Sequence, residues 1–158
     1  MTSPERVAQI EQIRQFPATL AALVADLTDD QVTAVPIAGE WSIAQNVHHV
    51  VDSHMNSYIR CKLIATEENP PLKPYDEAAW ATFPDAIGPD LTPSLTLLHA
   101  LHQRWTTFWE TLPDAAWRRT GIHEASGPVT LAEQLRLYVE HGNAHLAQVR
   151  RNLAAQSD

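Results

Sequence analysis

Eight histidines stand among the 158 residues. Imidazole is both a metal ligand and a proton-transfer group near neutral pH, so the spacing of these rings decides what they can do together. His141 and His145 lie four apart in His141-Gly142-Asn143-Ala144-His145. On a helix, four residues turn ~400° and rise ~6 Å, so both rings leave one face a turn apart. That spacing lets one helix offer two imidazoles to a single ion. The motif is not the His-Glu-x-x-His of zinc proteases, because no carboxylate holds the second position, and Glu140 points ~100° away from His141. By itself such a pair is a weak signal, since surface and capping histidines show the same spacing.

A third ligand must come from elsewhere. His48, His49 and His54 share a second segment, where Ile43, Val47, Val50, Val51 and Tyr58 make an apolar stripe. His54 falls within that stripe and His48 on its margin, which reads as core or boundary histidines with hydrogen-bonded rings. His49 falls on the side of Gln45, Asp52, Ser53, Asn56 and Arg60. Periodicity reads that side as a solvated polar face. The functional alternative is a polar pocket wall, with Asp52 or a neighbour supporting a ligating ring. His99, His102 and His123 read as structural or exposed. Cys61 reads as a small buried hydrophobe, and a lone cysteine excludes an intramolecular disulfide and a multi-thiolate zinc site. Neither a Gly-rich phosphate loop nor a Gly-x-Ser-x-Gly elbow occurs.

The elements that must position these rings are helical. Val7, Ile10, Ile13, Leu20, Leu23, Val24 and Leu27 recur at three- and four-residue steps, with Pro17 expected to interrupt the helix near Phe16. Thr28-Asp29-Asp30-Gln31 has the form of a capping box. A second helix opens at Ser42, with Gln45 as capping partner, and is expected to run to about Thr66 before the prolines of 67–74. Residues 75–90 form a long connection with room for one helical turn. Thr92-Pro93 reads as cap and first-turn proline of a third helix carrying Leu95, Leu98, Leu101, Trp105, Phe108, Trp109 and Leu112. Residues 113–128 form a second connection with room for a short hairpin. Thr130 and Glu133 cap a fourth helix carrying Leu131, Leu135, Tyr138, Leu146, Val149 and Leu153. The expected fold is an all-α four-helix bundle with one long crossover connection, a single domain over 1–158.

Composition narrows the function. Eleven Lys and Arg against nineteen Asp and Glu give a net charge of −8, which disfavours nucleic acid and anionic lipid as partners. The sequence shows neither a signal peptide nor an apolar run long enough to span a membrane, so a cytoplasmic protein is expected.

The stretch Trp41-Ser42-Ile43-Ala44-Gln45-Asn46-Val47-His48-His49-Val50-Val51-Asp52 resembles the signature helix of the DinB-like metalloprotein superfamily. There a Trp-Ser/Thr start precedes the first metal histidine by eight residues, a register that lands on His49. His141-x-x-x-His145, with Gln148 beyond, resembles the superfamily's second metal motif. The run from His48 to Arg60, with Lys62-Leu63, Thr66-Glu67, Pro74-Tyr75-Asp76-Glu77 and Leu101-His102-Gln103-Arg104-Trp105, is similar to the YfiT-like branch, whose members are regarded as metal-dependent hydrolases and bacillithiol transferases. The branch often carries further histidines near the second motif, where this chain has Ala144 and Gln148.

The resemblance implies that His49, His141 and His145 hold one divalent ion per chain, Zn²⁺ or Ni²⁺, with coordination positions left open. It implies a metal-dependent transferase that adds a low-molecular-weight thiol, of the bacillithiol kind, to an electrophilic small molecule through a metal-bound thiolate. Asn56 and Arg60, on the side of His49, would contact the thiol's carboxylates, and Asp52 and Gln148 would support the ligands. A hydrolase using a metal-bound hydroxide is the alternative, disfavoured by the lack of an obvious base. A non-enzymatic metal-binding stress-response bundle is a third reading. A homodimer is plausible for so aromatic a bundle.

Overall fold

The computed structural model describes residues 1–157. Four long helices carry the architecture: α1 (Ser3–Val24), α3 (Ile43–Thr66), α6 (Thr92–Glu110) and α7 (Leu131–Ala155). Three short ones, α2 (Asp29–Thr33), α4 (Glu77–Trp80) and α5 (Pro84–Ile87), sit in the connections. The expected capping boxes of α2, α3 and α7 all form, and Thr2 with Glu5 makes another at the start of α1. Each satisfies two otherwise orphaned backbone donors, which is why these helices begin where Thr28, Ser42 and Thr130 place them.

Two expectations change. Pro17 does not interrupt α1, which runs unbroken through it. A proline inside a helix removes the N–H that the carbonyl four residues back would accept. That carbonyl belongs to Ile13, and it receives the Nδ1–H of His102 instead, at 2.6 Å. With the orphan satisfied by a side chain, the helix continues. Thr92 is the first residue of α6 rather than its cap, and Asp90 Oδ1 accepts its backbone N–H at 3.0 Å.

The second connection does hold a hairpin. Strand β2 (Thr120–His123) pairs antiparallel with β3 (Gly127–Thr130), and a two-residue strand β1 (Pro71–Leu72) adds in parallel on the far side of β2. The hairpin turns at Gly127, whose φ of 75° lies in the left-handed region that glycine adopts without strain. Helix α1 packs on α6 and α7, and α3 packs on the same two. The chain thus crosses the bundle diagonally between its first and second long helices, and again between its third and fourth, instead of folding straight back beside itself.

The core divides into two apolar groups. One gathers Ile13, Cys61, Trp105, Trp109 and Tyr138, and the other Phe16, Val50, Val51, Leu98 and Leu146. On every long helix the break between them falls at the same level, and His54, His102 and His141 occupy that level. Gly142 is there too. A Cβ on it would sit 2.9 Å from the Phe16 ring, so its absence lets α1 close on α7. No helix among the described residues is long and apolar enough to cross a membrane.

Candidate metal centre

Packing of α3 against α7 brings His49, His141 and His145 together, each offering one ring nitrogen within 4.8 Å of the others. His141 and His145 extend from one face of α7, with ring centroids 4.4 Å apart, as their spacing requires. His49 comes across from α3, its centroid 4.9 Å from that of His145 and 5.5 Å from that of His141.

His49 is not on a solvated face; only 4% of it is exposed. Periodicity misplaces it because the cover on that side is non-local. The Trp41 indole lies with its centroid 4.7 Å from the His49 ring, and Glu77 at the start of α4 closes from the connection. The three imidazoles open into a cavity of about 400 Å³, also lined by Glu40, Trp41, Glu77, Gln148 and Arg151.

Burial sets the electrostatics. Desolvation pushes the His49 pKa down to about 4, helped by the neighbouring His145. It takes His141 down to about 3, with His145 and His49 adding to the effect, and His145 to about 4. All three rings are therefore neutral at pH 7, which is the form that ligates a metal. Three neutral ring nitrogens within 4.8 Å of one another, each unable to take up a proton cheaply, could hold a divalent cation. Three protein ligands would leave a position open, as catalytic rather than structural sites do.

Neighbouring groups orient the rings. Asn46 donates through Nδ2 to the Ser42 carbonyl at 2.9 Å, so its Oδ1 is left to accept the Nδ1–H of His145 at 2.8 Å. The Nε2 lone pair of His145 is then free. Asn46 is 1% exposed, and sequence reasoning passed over it. The available signal was a polar residue on the apolar side of the helix, one turn before Val50.

The supporting residues expected from helix geometry are distributed otherwise. Gln148 does line the cavity, and its buried Oε1 has no hydrogen-bond partner. Asp52 instead lines a separate cavity with His48 and Asp85, so it is not the carboxylate beside His49. Asn56 donates to the Asp52 carbonyl at 2.9 Å, and Arg60 donates to the Lys73 carbonyl. Neither Asn56 nor Arg60 is among the residues that line the cavity. Both lie beyond His49 along α3, and each donates to a backbone carbonyl.

The carboxylate that does approach is Glu77, with Oε2 3.9 Å from His49 Nε2. Burial raises its pKa, partly opposed by the nearby Arg60. Residues 75–90 carry no periodic pattern, so no local signal pointed to it. His48 bridges Ser94 Oγ at 2.7 Å and the Gly88 carbonyl at 3.0 Å, a structural role as expected.

The chain as a whole is similar to known proteins. Residues 12–149 match the DinB superfamily. A protein of Bacillus mycoides strain KBAB4 is 44% identical over 140 residues, covering 89% of this chain and 80% of its own. YfiT of Bacillus subtilis strain 168 is 43% identical over 141 residues, covering 89% of this chain and 79% of its own. Both are provisionally named metal-dependent hydrolases. The solved structure of B. subtilis YfiT, described as having an unusual four-helix bundle topology, superposes with a TM-score of 0.95 at 38% identity, covering 99% of this chain and 90% of that one. A mycothiol-dependent maleylpyruvate isomerase shares the fold at a TM-score of 0.71 and 15% identity, over 94% of this chain and 63% of its own.

Proposed function

The chain belongs to the DinB superfamily, and on that premise we propose that it is a metal-dependent enzyme that activates a small nucleophile at His49, His141 and His145. The reading takes residues 1–158 as one domain. The observation that carries it is the meeting of three neutral imidazoles, two buried and His141 half-buried, at the wall of an open cavity. The provisional naming of relatives as metal-dependent hydrolases supports an enzyme. A divalent ion held by His49, His141 and His145 would supply Lewis acidity and make a small thiol or water easier to deprotonate.

The first reading is transfer of a low-molecular-weight thiol to an electrophile. The cavity of about 400 Å³ has room for a small organic nucleophile. Arg151, already 3.2 Å from Glu40 Oε2 on its wall, is a cation suited to bidentate recognition of a carboxylate on such a thiol. Glu77 takes the thiol proton, the sulfur attacks the electrophilic carbon, and the leaving group departs with its electron pair. The Trp41 indole and the His49 ring wall off water on one side. The second reading is hydrolysis, with Glu77 drawing the proton from water. The Glu77 carboxylate, 3.9 Å from His49, keeps this reading open by supplying the base that no sequence motif offered.

Metal-loaded protein is incubated with a model electrophile, with and without bacillithiol or glutathione. Thioether formation that needs both metal and thiol is expected; ester or amide cleavage without thiol would select hydrolysis. In either reaction Glu77→Gln is expected to lower kcat about 10²- to 10⁴-fold, the usual contribution of a positioned acid or base, while leaving ion content unchanged. Full turnover by that variant would remove Glu77 from proton transfer.

A further inference from the structure

Two histidines that take no part in the cavity form a continuous line with one that does. His102 Nδ1 lies 2.6 Å from the Ile13 carbonyl oxygen. His102 Nε2 lies 2.7 Å from His54 Nδ1. His54 Nε2 lies 3.2 Å from His141 Nδ1. The line visits α1, α6, α3 and α7 in turn, so it ties all four long helices together at the level where the apolar core is divided.

The order of protons along it follows from its fixed end. A carbonyl only accepts, so His102 must carry its proton on Nδ1. His102 and His54 are 1% and 0% exposed, and none of these three hydrogen bonds involves a carboxylate, so each ring is neutral and has one proton. His102 Nε2 is then an acceptor and takes the proton of His54 Nδ1. His54 Nε2 is in turn an acceptor and takes the proton of His141 Nδ1. His141 is left with its lone pair on Nε2. Ser53 Oγ is 3.4 Å from that nitrogen and equally far from Tyr138 Oη, to which it donates.

The fixed end itself has a cause in the sequence. Residue 17 is a proline, so no backbone N–H competes for the Ile13 carbonyl within α1. The ring of Phe16, next to it, packs over both histidines, with centroids 5.3 Å from His54 and 5.6 Å from His102. Gly142 makes space for that ring. Five residues that look unrelated along the chain thus converge on one purpose.

We infer that His54 and His102 are positioning residues for the metal centre: anchored on the Ile13 carbonyl that Pro17 leaves open, they hold His141 as the Nδ1–H tautomer and present its Nε2 to the ion. The assignment rests on the reading of His141 as a ligand. Imidazole ligands held by such outer partners lose about 10- to 100-fold in metal affinity when the partner is removed.

The test starts with the metal-free wild-type chain. Multiple-bond ¹H–¹⁵N correlation of the imidazoles at pH 7 reads the tautomer of each ring. The expected spectrum shows His54, His102 and His141 all protonated on Nδ1, with the His54 and His102 N–H protons slow to exchange. A proton on Nε2 of His102 or His141 would overturn the inference, whatever any variant does. The second arm is His102→Phe, which keeps a ring of similar shape but removes both nitrogens. Its Zn²⁺ affinity, measured by competition with a chromophoric chelator, is expected to fall at least 10-fold, with His141 changing to a mixture of tautomers. Unchanged affinity in a folded variant would overturn the inference. If wild-type protein binds no Zn²⁺, the metal-centre reading fails, and the tautomer spectrum still decides whether the line of protons exists.

Discussion

At the scale of single residues, the chemistry depends on which nitrogen of each ring is free. His145 has that question answered by Asn46, whose amide is itself fixed by the Ser42 carbonyl. Asn46→Ala should therefore weaken metal binding about 10- to 100-fold with little change in helix content, and the same chelator competition reads it. Unaltered affinity would mean that Asn46 only fills space. Of the three converging rings, His141 and His145 were legible from spacing as a pair on one helix face, a weak signal until the resemblance joined them to His49. His49 was legible only through the resemblance of the Trp41–Asp52 run to a known metal helix, because helical periodicity put it on a solvated face. The residues that bury it, Trp41 and Glu77, come from a preceding loop and a distant connection, and no local pattern encodes that closure. His54 and His102 were legible as structural histidines. Their linkage was not, since it depends on which helices are neighbours.

At the scale of elements, caps and apolar stripes gave three of the four long helices nearly to the residue: α3 and α7 are each opened by a reciprocal side-chain and backbone exchange, and α6 begins at the Thr92-Pro93 pair without one. The exception is α1, where a proline rule that is sound for an isolated helix fails in context. A mid-helix proline ordinarily costs about 3 kcal/mol, through the lost hydrogen bond and the clash with the preceding turn. Here the freed carbonyl is taken by His102. Pro17→Ala should therefore stabilise the protein by well under the about 3 kcal/mol that a host helix would gain, read as the shift in urea midpoint. A gain near that full value would show that the His102 contact contributes nothing. The mixed sheet had a weaker signature: the hairpin could be placed in residues 113–128, but the pairing of Pro71–Leu72 with β2 is long-range and left no trace in the local pattern.

At the scale of the whole molecule, five desolvated imidazoles, four buried and His141 half-buried, make the metal-free fold sensitive to acid. Burial lowers the pKa of His49, His102 and His145 to about 4, of His141 to about 3, and of His54 well below its ordinary value. In the unfolded chain each returns to about 6.5. Between those limits the unfolded state binds more protons than the native state, so stability is full above about pH 6.5 and is lost as pH falls toward 4. Asp52 and Glu77, raised by burial, act in the opposite sense nearer the carboxylate range. Urea midpoints of metal-free protein should accordingly drop stepwise from pH 7.5 to 6 to 5. A flat profile would mean that the rings are far less buried than the packing of α1, α3, α6 and α7 requires.

The bundle, its crossing connection and its division by a histidine layer all serve to bring one ring from α3 to two from α7. The most direct check is ion stoichiometry by elemental analysis of untagged protein loaded with Zn²⁺ or Ni²⁺ and then desalted. The account predicts one ion per chain in the wild type, and none retained by His49→Ala or by His141→Ala/His145→Ala. A wild-type chain that retains no ion under any loading condition, or a folded His49→Ala variant that keeps its full complement, would contradict it.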